Sequence, residues 1–156
     1  MPKFTRAELE EAFAHYVAVN DEASRRHDWK AWADKFTVDC HYVECAFGEF
    51  HGREAVRDWI SRVMAPYPQM DFPMDWHVVD PERGWVVFQC QNRLAHPTDP
   101  DGPPFQFPTW SKIHYAGDHL WSYEEDMYHP GAAGRAISAW REAGGRLRER
   151  QLTMEG

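Results

Sequence analysis

The stretch HYVECAFGEFHGREAVRDWISRVM, residues 41–64, changes its period halfway along, and that change sets the fold. From His41 to Phe50 the composition is that of a strand, with Tyr42, Val43, Phe47 and Phe50. Gly52 breaks the run. Arg53 to Met64 then reads as a helix, with Glu54 in its first turn and Val56, Trp59, Ile60 and Val63 on one face. Pro66 and Pro68 end it.

Toward the N-terminus, Thr5-Arg6-Ala7-Glu8 is a capping box that opens a helix. Leu9, Ala12, Phe13, Tyr16, Val17 and Ala23 recur along it at helical spacing. Asp28 caps a short second helix carrying Trp29, Trp32 and Phe36. Toward the C-terminus the chain reads as strands over Met74–Val79, Trp85–Leu94, Phe105–Tyr115 and His119–Tyr128, with turns at Asp80–Gly84 and Ala116–Asp118. The loop from His96 to Pro104 holds four prolines and one glycine, which suits a stiff connector or a lid. A last helix spans Ala132–Arg148, weakened by Gly144 and Gly145, and residues 151–156 are expected to fray. Helices first and a meander of strands after predict an α+β domain, single over residues 1–150. Three helices must cover one face of the sheet, and a pocket forms in the space they leave.

Composition bounds the function. A chain of 156 residues is large enough to bury a core without staples. The net charge of −8, from 25 acids against 17 bases, argues against nucleic acid as a partner. No apolar run is long enough for a membrane span. MPKFTRAELEE is charged and amphipathic rather than a secretory signal, and Cys40, Cys45 and Cys90 make no CxxC pair. Free thiols in the cytoplasm are the expectation. Nine histidines raise the question of a metal, but HExxH, zinc spacings and D-x-D-x-D-G loops are absent from the sequence. GxSxG and P-loop motifs are absent too, so the expectation is no metal and no cofactor.

Three stretches resemble the nuclear transport factor two-like superfamily, with its SnoaL-like polyketide cyclases and ketosteroid isomerases. They are Asp28-Trp29 leading to Phe36-Thr37-Val38-Asp39, then Phe50-His51-Gly52-Arg53-Glu54-Ala55-Val56, and Trp121-Ser122-Tyr123-Glu124-Glu125-Asp126-Met127-Tyr128. The resemblance covers roughly residues 5 to 130 and implies a cone: a curved mixed sheet wrapped by three N-terminal helices, plus a C-terminal helix. It also implies a homodimer and a small apolar organic ligand.

The resemblance places Glu44 where the isomerases carry an aspartate general base, and Asn20 where they carry a tyrosine that donates to the oxyanion. Tyr16 lies one turn before Asn20 and could reach in instead. On the last strand, where the cyclases carry an acid–base carboxylate, alternation puts Trp121, Tyr123, Glu125 and Met127 on one side. That side is the more aromatic and is expected to face the pocket, with Glu125 as the second carboxylate and Asp126 in its place if the register slips by one. The isomerases' protonated acid on the third strand of the meander falls at Trp110 here. Lys112 and His114 follow on the same side, and either could bind an anionic group or shuttle a proton, with His114 the site candidate. Trp76, Phe88, Trp110, Trp121, Tyr123 and Met127 are the expected substrate-binding wall.

Two functions fit. One is a cofactor-free acid–base enzyme of isomerase, cyclase or dehydratase type, acting on an apolar carbonyl- or hydroxyl-bearing molecule. The other is a ligand-binding or dimeric assembly module without chemistry. Glu44 and Glu125 in one cavity favour the first; opposite sheet faces favour the second.

Overall fold

The computed structural model describes residues 2–148, so the tail expected at 151–156 lies outside the described residues. The chain runs α1 (Arg6–Arg26), α2 (Trp29–Trp32), a 3-10 turn (Ala33–Lys35), β1 (Phe36–Glu44), β2 (Gly48–His51) and α3 (Arg53–Met64). It continues through β3 (Met74–Asp80), β4 (Trp85–Leu94), β5 (Phe105–Gly117), β6 (Leu120–Met127) and α4 (Pro130–Glu142). The six strands form one sheet in the order β2-β1-β6-β5-β4-β3. Every neighbouring pair is antiparallel except β1 and β6, which run parallel. The fold is the α+β cone that the resemblance implies, with N-terminal helices on a curved, unclosed mixed sheet and a C-terminal helix.

Local chemistry sets the boundaries. Both halves of the capping box form at Thr5 and Glu8. Asp28 accepts from the backbone N–H groups of Lys30 and Ala31 and starts α2. Gly52 turns the chain from β2 into α3 at a φ of 90°, where a side chain would be strained. At the other end α4 stops at Glu142, earlier than the expected Arg148, and Gly144 follows at a φ of 108°.

The run from His41 to Phe50 is not one strand. It is the end of β1, a turn at 45–47 and most of β2, a tight hairpin that the β-rich composition hides. The register assigns two faces. Tyr42, Glu44, Phe88, Thr109, Ser111, Glu124 and Asp126 point to the concave side covered by the helices, and all but Asp126 are buried to within a few per cent. His41, Val43, Trp110, Lys112, His114, Tyr123, Glu125 and Met127 pair with one another on the convex side, and Trp76 joins them through Gln89, the partner it shares with Trp110. On β6 the strict alternation fails. Tyr115 pairs with Trp121 but His114 pairs with Tyr123, so Ser122 is an extra residue, a bulge. Trp121 therefore faces inward and Tyr123 outward, and the residues after the bulge sit on the faces opposite to those predicted.

Candidate functional site

Between the concave sheet face and the helices lies a cavity of about 310 Å³. Its walls are apolar: Trp29, Trp32, Trp59, Met64, Phe72 and Phe88 come from α2, α3, the α3–β3 connection and β4, and Ala133 and Ile137 of α4 close the far side. Most of these are large. Room for a ligand comes from the middle of β5, where the inward residues are only Thr109 and Ser111.

Polar groups gather at one end. Tyr16 Oη donates to Glu124 Oε1 at 2.7 Å. Tyr42 Oη lies 3.2 Å from the same oxygen and in closer contact with Asp126 Oδ2. Ser111 Oγ is 2.6 Å from Asp126 Oδ1. Burial lifts the Asp126 carboxyl well above the ordinary aspartate range, and the charge of Glu124 adds to the shift. Glu124 is raised too, by burial, against the pull of Lys35 and of the hydroxyls that donate to it. The phenols of Tyr16 and Tyr42 are pushed far up by burial and by these two carboxyls, so both stay protonated donors. Glu124 Oε2 is buried without a hydrogen-bond partner.

A buried cation sits beside this cluster. Lys35, on the 3-10 turn after α2, is only 3% exposed. Its Nζ lies 3.7 Å from the Tyr16 ring centre and 3.9 Å from that of Trp32, and donates to Asn20 Oδ1 at 2.6 Å. Burial pulls its amine down to about 7, against the attraction of Glu124 and Asp126.

Tyr16, Asn20, Glu44, Phe88 and Asp126 line the cavity. Asn20 turns its carbonyl oxygen to Trp32 Nε1, at 2.7 Å, and to Lys35, so that oxygen anchors α2 to α1. Glu44 is buried, and its Oε2 caps the β1–β2 turn by accepting from the N–H groups of Ala46 and Phe47 at 2.9 and 2.6 Å. The remaining placements need correction. Glu125 is on the convex face, bonded to Tyr123 and 3.8 Å from Lys112 Nζ. His114 lies on that face as well, stacked between Trp85 and Tyr123 at 4.5 and 4.4 Å. Trp76, Trp110 and Met127 are 42%, 60% and 55% exposed there. Trp121 is inward but packs in the core against Tyr16 and Tyr115.

Two causes explain these differences. On β6 the Ser122 bulge reverses the faces. On β3 and β5 aromatic content does not mark the pocket face: a cavity requires small residues on its floor, and the large aromatics of these strands cover the convex face instead. Glu124 and Lys35 carry little signal in the sequence. Strict alternation puts Glu124 in the outer set, and the bulge turns it inward. Lys35 gave one usable signal, its position between the apolar Trp32-Ala33 and Phe36.

The described residues thus form an α+β cone with an apolar cavity and a carboxyl pair among its lining residues. The chain belongs to the SnoaL-like domain family, whose model matches residues 11–123. No curated protein sequence matches it. Among solved structures it is similar to an LEH-like epoxide hydrolase of M. tuberculosis, at 13% identity over 88% of this chain and 94% of that one, with a TM-score of 0.64. It is also similar to an NTF2-like protein of Anabaena variabilis, at 13% identity over 83% and 95%, with a TM-score of 0.64. A third is a protein of Catenulispora acidiphila with a ketosteroid isomerase-like fold, in complex with trimethylamine, at 20% identity over 72% and 84%, with a TM-score of 0.59. At these identities the likeness is one of fold. Among the described residues no helix is long and apolar enough to cross a membrane.

Proposed function

We propose that this protein is a cofactor-free acid–base enzyme that moves a proton on a small, largely apolar carbonyl- or hydroxyl-bearing molecule. The observation that carries this reading is the buried Glu124–Tyr42–Asp126 chain at the polar end of the cavity. Tyr42 has one hydroxyl hydrogen and two carboxyl neighbours. A protonated Asp126 satisfies both contacts: its O–H donates to Tyr42, and Tyr42 donates to Glu124. The upward shift of Asp126 favours that state. The pair then offers one acid and one base in a single site, the arrangement that proton transfer near neutral pH requires. Burial among aromatics strengthens every charge interaction with a bound substrate.

The test needs no knowledge of the natural substrate. A panel of small cyclic and aryl ketones in D₂O, followed by NMR, reports exchange of the protons beside the carbonyl. Exchange above buffer by the wild type, lost in Asp126→Asn and in Glu124→Gln, is expected. No exchange on any ketone, or equal exchange in both variants, overturns the reading.

A second reading, ligand binding without chemistry, has its own support. Glu44 and Glu125 lie on opposite sheet faces, the arrangement that favours a binding module. Asn20 Oδ1 is engaged by Trp32 and Lys35. Tight binding of a panel ketone with no exchange would select this reading. The likeness to structures of this fold supports a small apolar ligand in either case, and a homodimer built on the convex face stays a proposal that sedimentation would test.

A further inference from the structure

We propose that the convex face carries a site for a divalent first-row transition ion, zinc foremost, formed by His41, Glu49 and His51. The residues come from a hairpin at the sheet edge. His41 and His51 are directly paired across β1 and β2, and their rings stack with centres 4.5 Å apart at 15°. Glu49 lies two residues before His51 on the same face of β2. Both imidazoles aim the same atom at one point: Nε2 of His41 is 2.9 Å and Nε2 of His51 is 3.7 Å from Glu49 Oε2.

The three donor atoms all lie within 4.8 Å of one another. Zinc bonds of about 2.0–2.2 Å in a tetrahedron put donors roughly 3.4 Å apart. The separations from Glu49 bracket that value, so rotations of exposed side chains suffice to close the site. A hydrogen bond serves one imidazole at a time, whereas a cation serves both and the carboxylate together. Two imidazoles and one carboxylate suit zinc, nickel or copper rather than magnesium or calcium. A fourth position would be left for water. Motif searches of the sequence miss such a site, because its spacing, H-x₇-E-x-H, is set by a hairpin rather than by a helix or a loop.

The site is separate from the cavity, since Tyr42 and Glu44 point to the other side of the same strand. Its expected effect is to clasp β2 onto β1.

Titration calorimetry of the full chain with zinc chloride tests it. One saturable equivalent is expected, with affinity at least ten-fold weaker in His51→Ala and in Glu49→Gln. It should be unchanged in His119→Asn, which removes the separate His119–Glu11 contact. Cobalt bound to the wild type should show the ligand-field bands of nitrogen and oxygen donors, without the thiolate band that exposed Cys45 would give. The cobalt spectrum needs no variant to fold. Absence of saturable zinc binding, equal affinity in His51→Ala, or a thiolate band overturns the proposal.

Discussion

β6 presents two faces to two different media. Glu124 and Asp126 point into a cavity walled by aromatics, while Tyr123 and Glu125 lie on the convex face beside Lys112 and His114. The residue types are nearly the same. Inside, burial raises both carboxyls, and hydroxyls from α1, β1 and β5 converge on them. Outside, Glu125 keeps about a third of its side chain in water and meets an equally exposed lysine. Burial decides the difference: the inner carboxyls lose water, which disfavours their charged forms.

The strongest way to break this comparison is to remove one carboxylate from each face. Asp126→Asn should lower ketone proton exchange by about 10²–10⁴-fold, the range that a positioned acid or base contributes. Glu125→Gln should leave the rate within about two-fold, because a solvent-screened charge on the far side of the sheet acts weakly on the cavity. Similar losses from the two variants, read by the same NMR assay, would dissolve the distinction.

That experiment also marks where sequence reading stopped. The elements were legible because capping, glycine and proline signals are local: Thr5 to Glu8, Asp28 and Gly52 each act within a turn of themselves. The Arg53–Met64 helix matches its predicted limits for that reason. Facing was legible only where alternation holds. It holds on β4, so Phe88 is inside as expected. On β5 the alternation is regular, but aromatic content points to the wrong phase, because Trp110 lies exposed on the convex face. On β6 the Ser122 bulge shifts the phase after Trp121, and a bulge is a property of two strands together. A slip by one residue puts Asp126 rather than Glu125 at the cavity, and Asp126 lines it. The contact of Asp126 with Glu124 through Tyr42 is not legible in the sequence, because it joins β1 to β6 across more than eighty residues.

Lys35 sharpens the inner half of the comparison. Its amine is pulled down to about 7 in the folded protein, against about 10.4 for an unfolded lysine. Between these values the unfolded chain binds a proton that the folded chain refuses. Stability therefore falls as pH drops from 10 toward 7, and below 7 the whole penalty is present. The contribution is up to about 1.4 kcal/mol per pH unit. Urea titrations of the wild type and Lys35→Met across pH 7–10 isolate it as a difference. The variant should be relatively more stable at pH 7, with the gap closing toward pH 10. A constant gap would mean that Lys35 is not held as this geometry implies.

His114 provides the convex counterpart, and its effect is smaller because the ring is only partly covered. Burial between Trp85 and Tyr123, with help from Lys112, lowers its imidazole to about 4. A base lowered on folding stabilises fully above its unfolded value, and that stability is lost as pH falls from about 6.5 toward 4. In an NMR titration the His114 ring should remain neutral at pH 5.5. His114→Phe, which keeps the stack, should remove this part of the acid sensitivity. A His114 midpoint near 6.5 would place the ring in water and refute the stacked arrangement.

The Glu125–Lys112 pair should matter least. Its separation is 3.8 Å, and both side chains are about one-third exposed. Coulomb attraction at that distance is weakened by water, and two long side chains lose rotamer freedom to meet. Tyr123 competes for the same carboxylate oxygen, Glu125 Oε2, which dilutes the ion pair further. A double-mutant cycle with Glu125→Ala and Lys112→Ala should give a coupling below about 1 kcal/mol, shrinking in high salt. A larger, salt-insensitive coupling would mean that something shields this part of the convex face from water in solution. A second copy of the chain packed there would do so, and repeating the cycle across a concentration series would tell shielding by a copy from shielding within one chain.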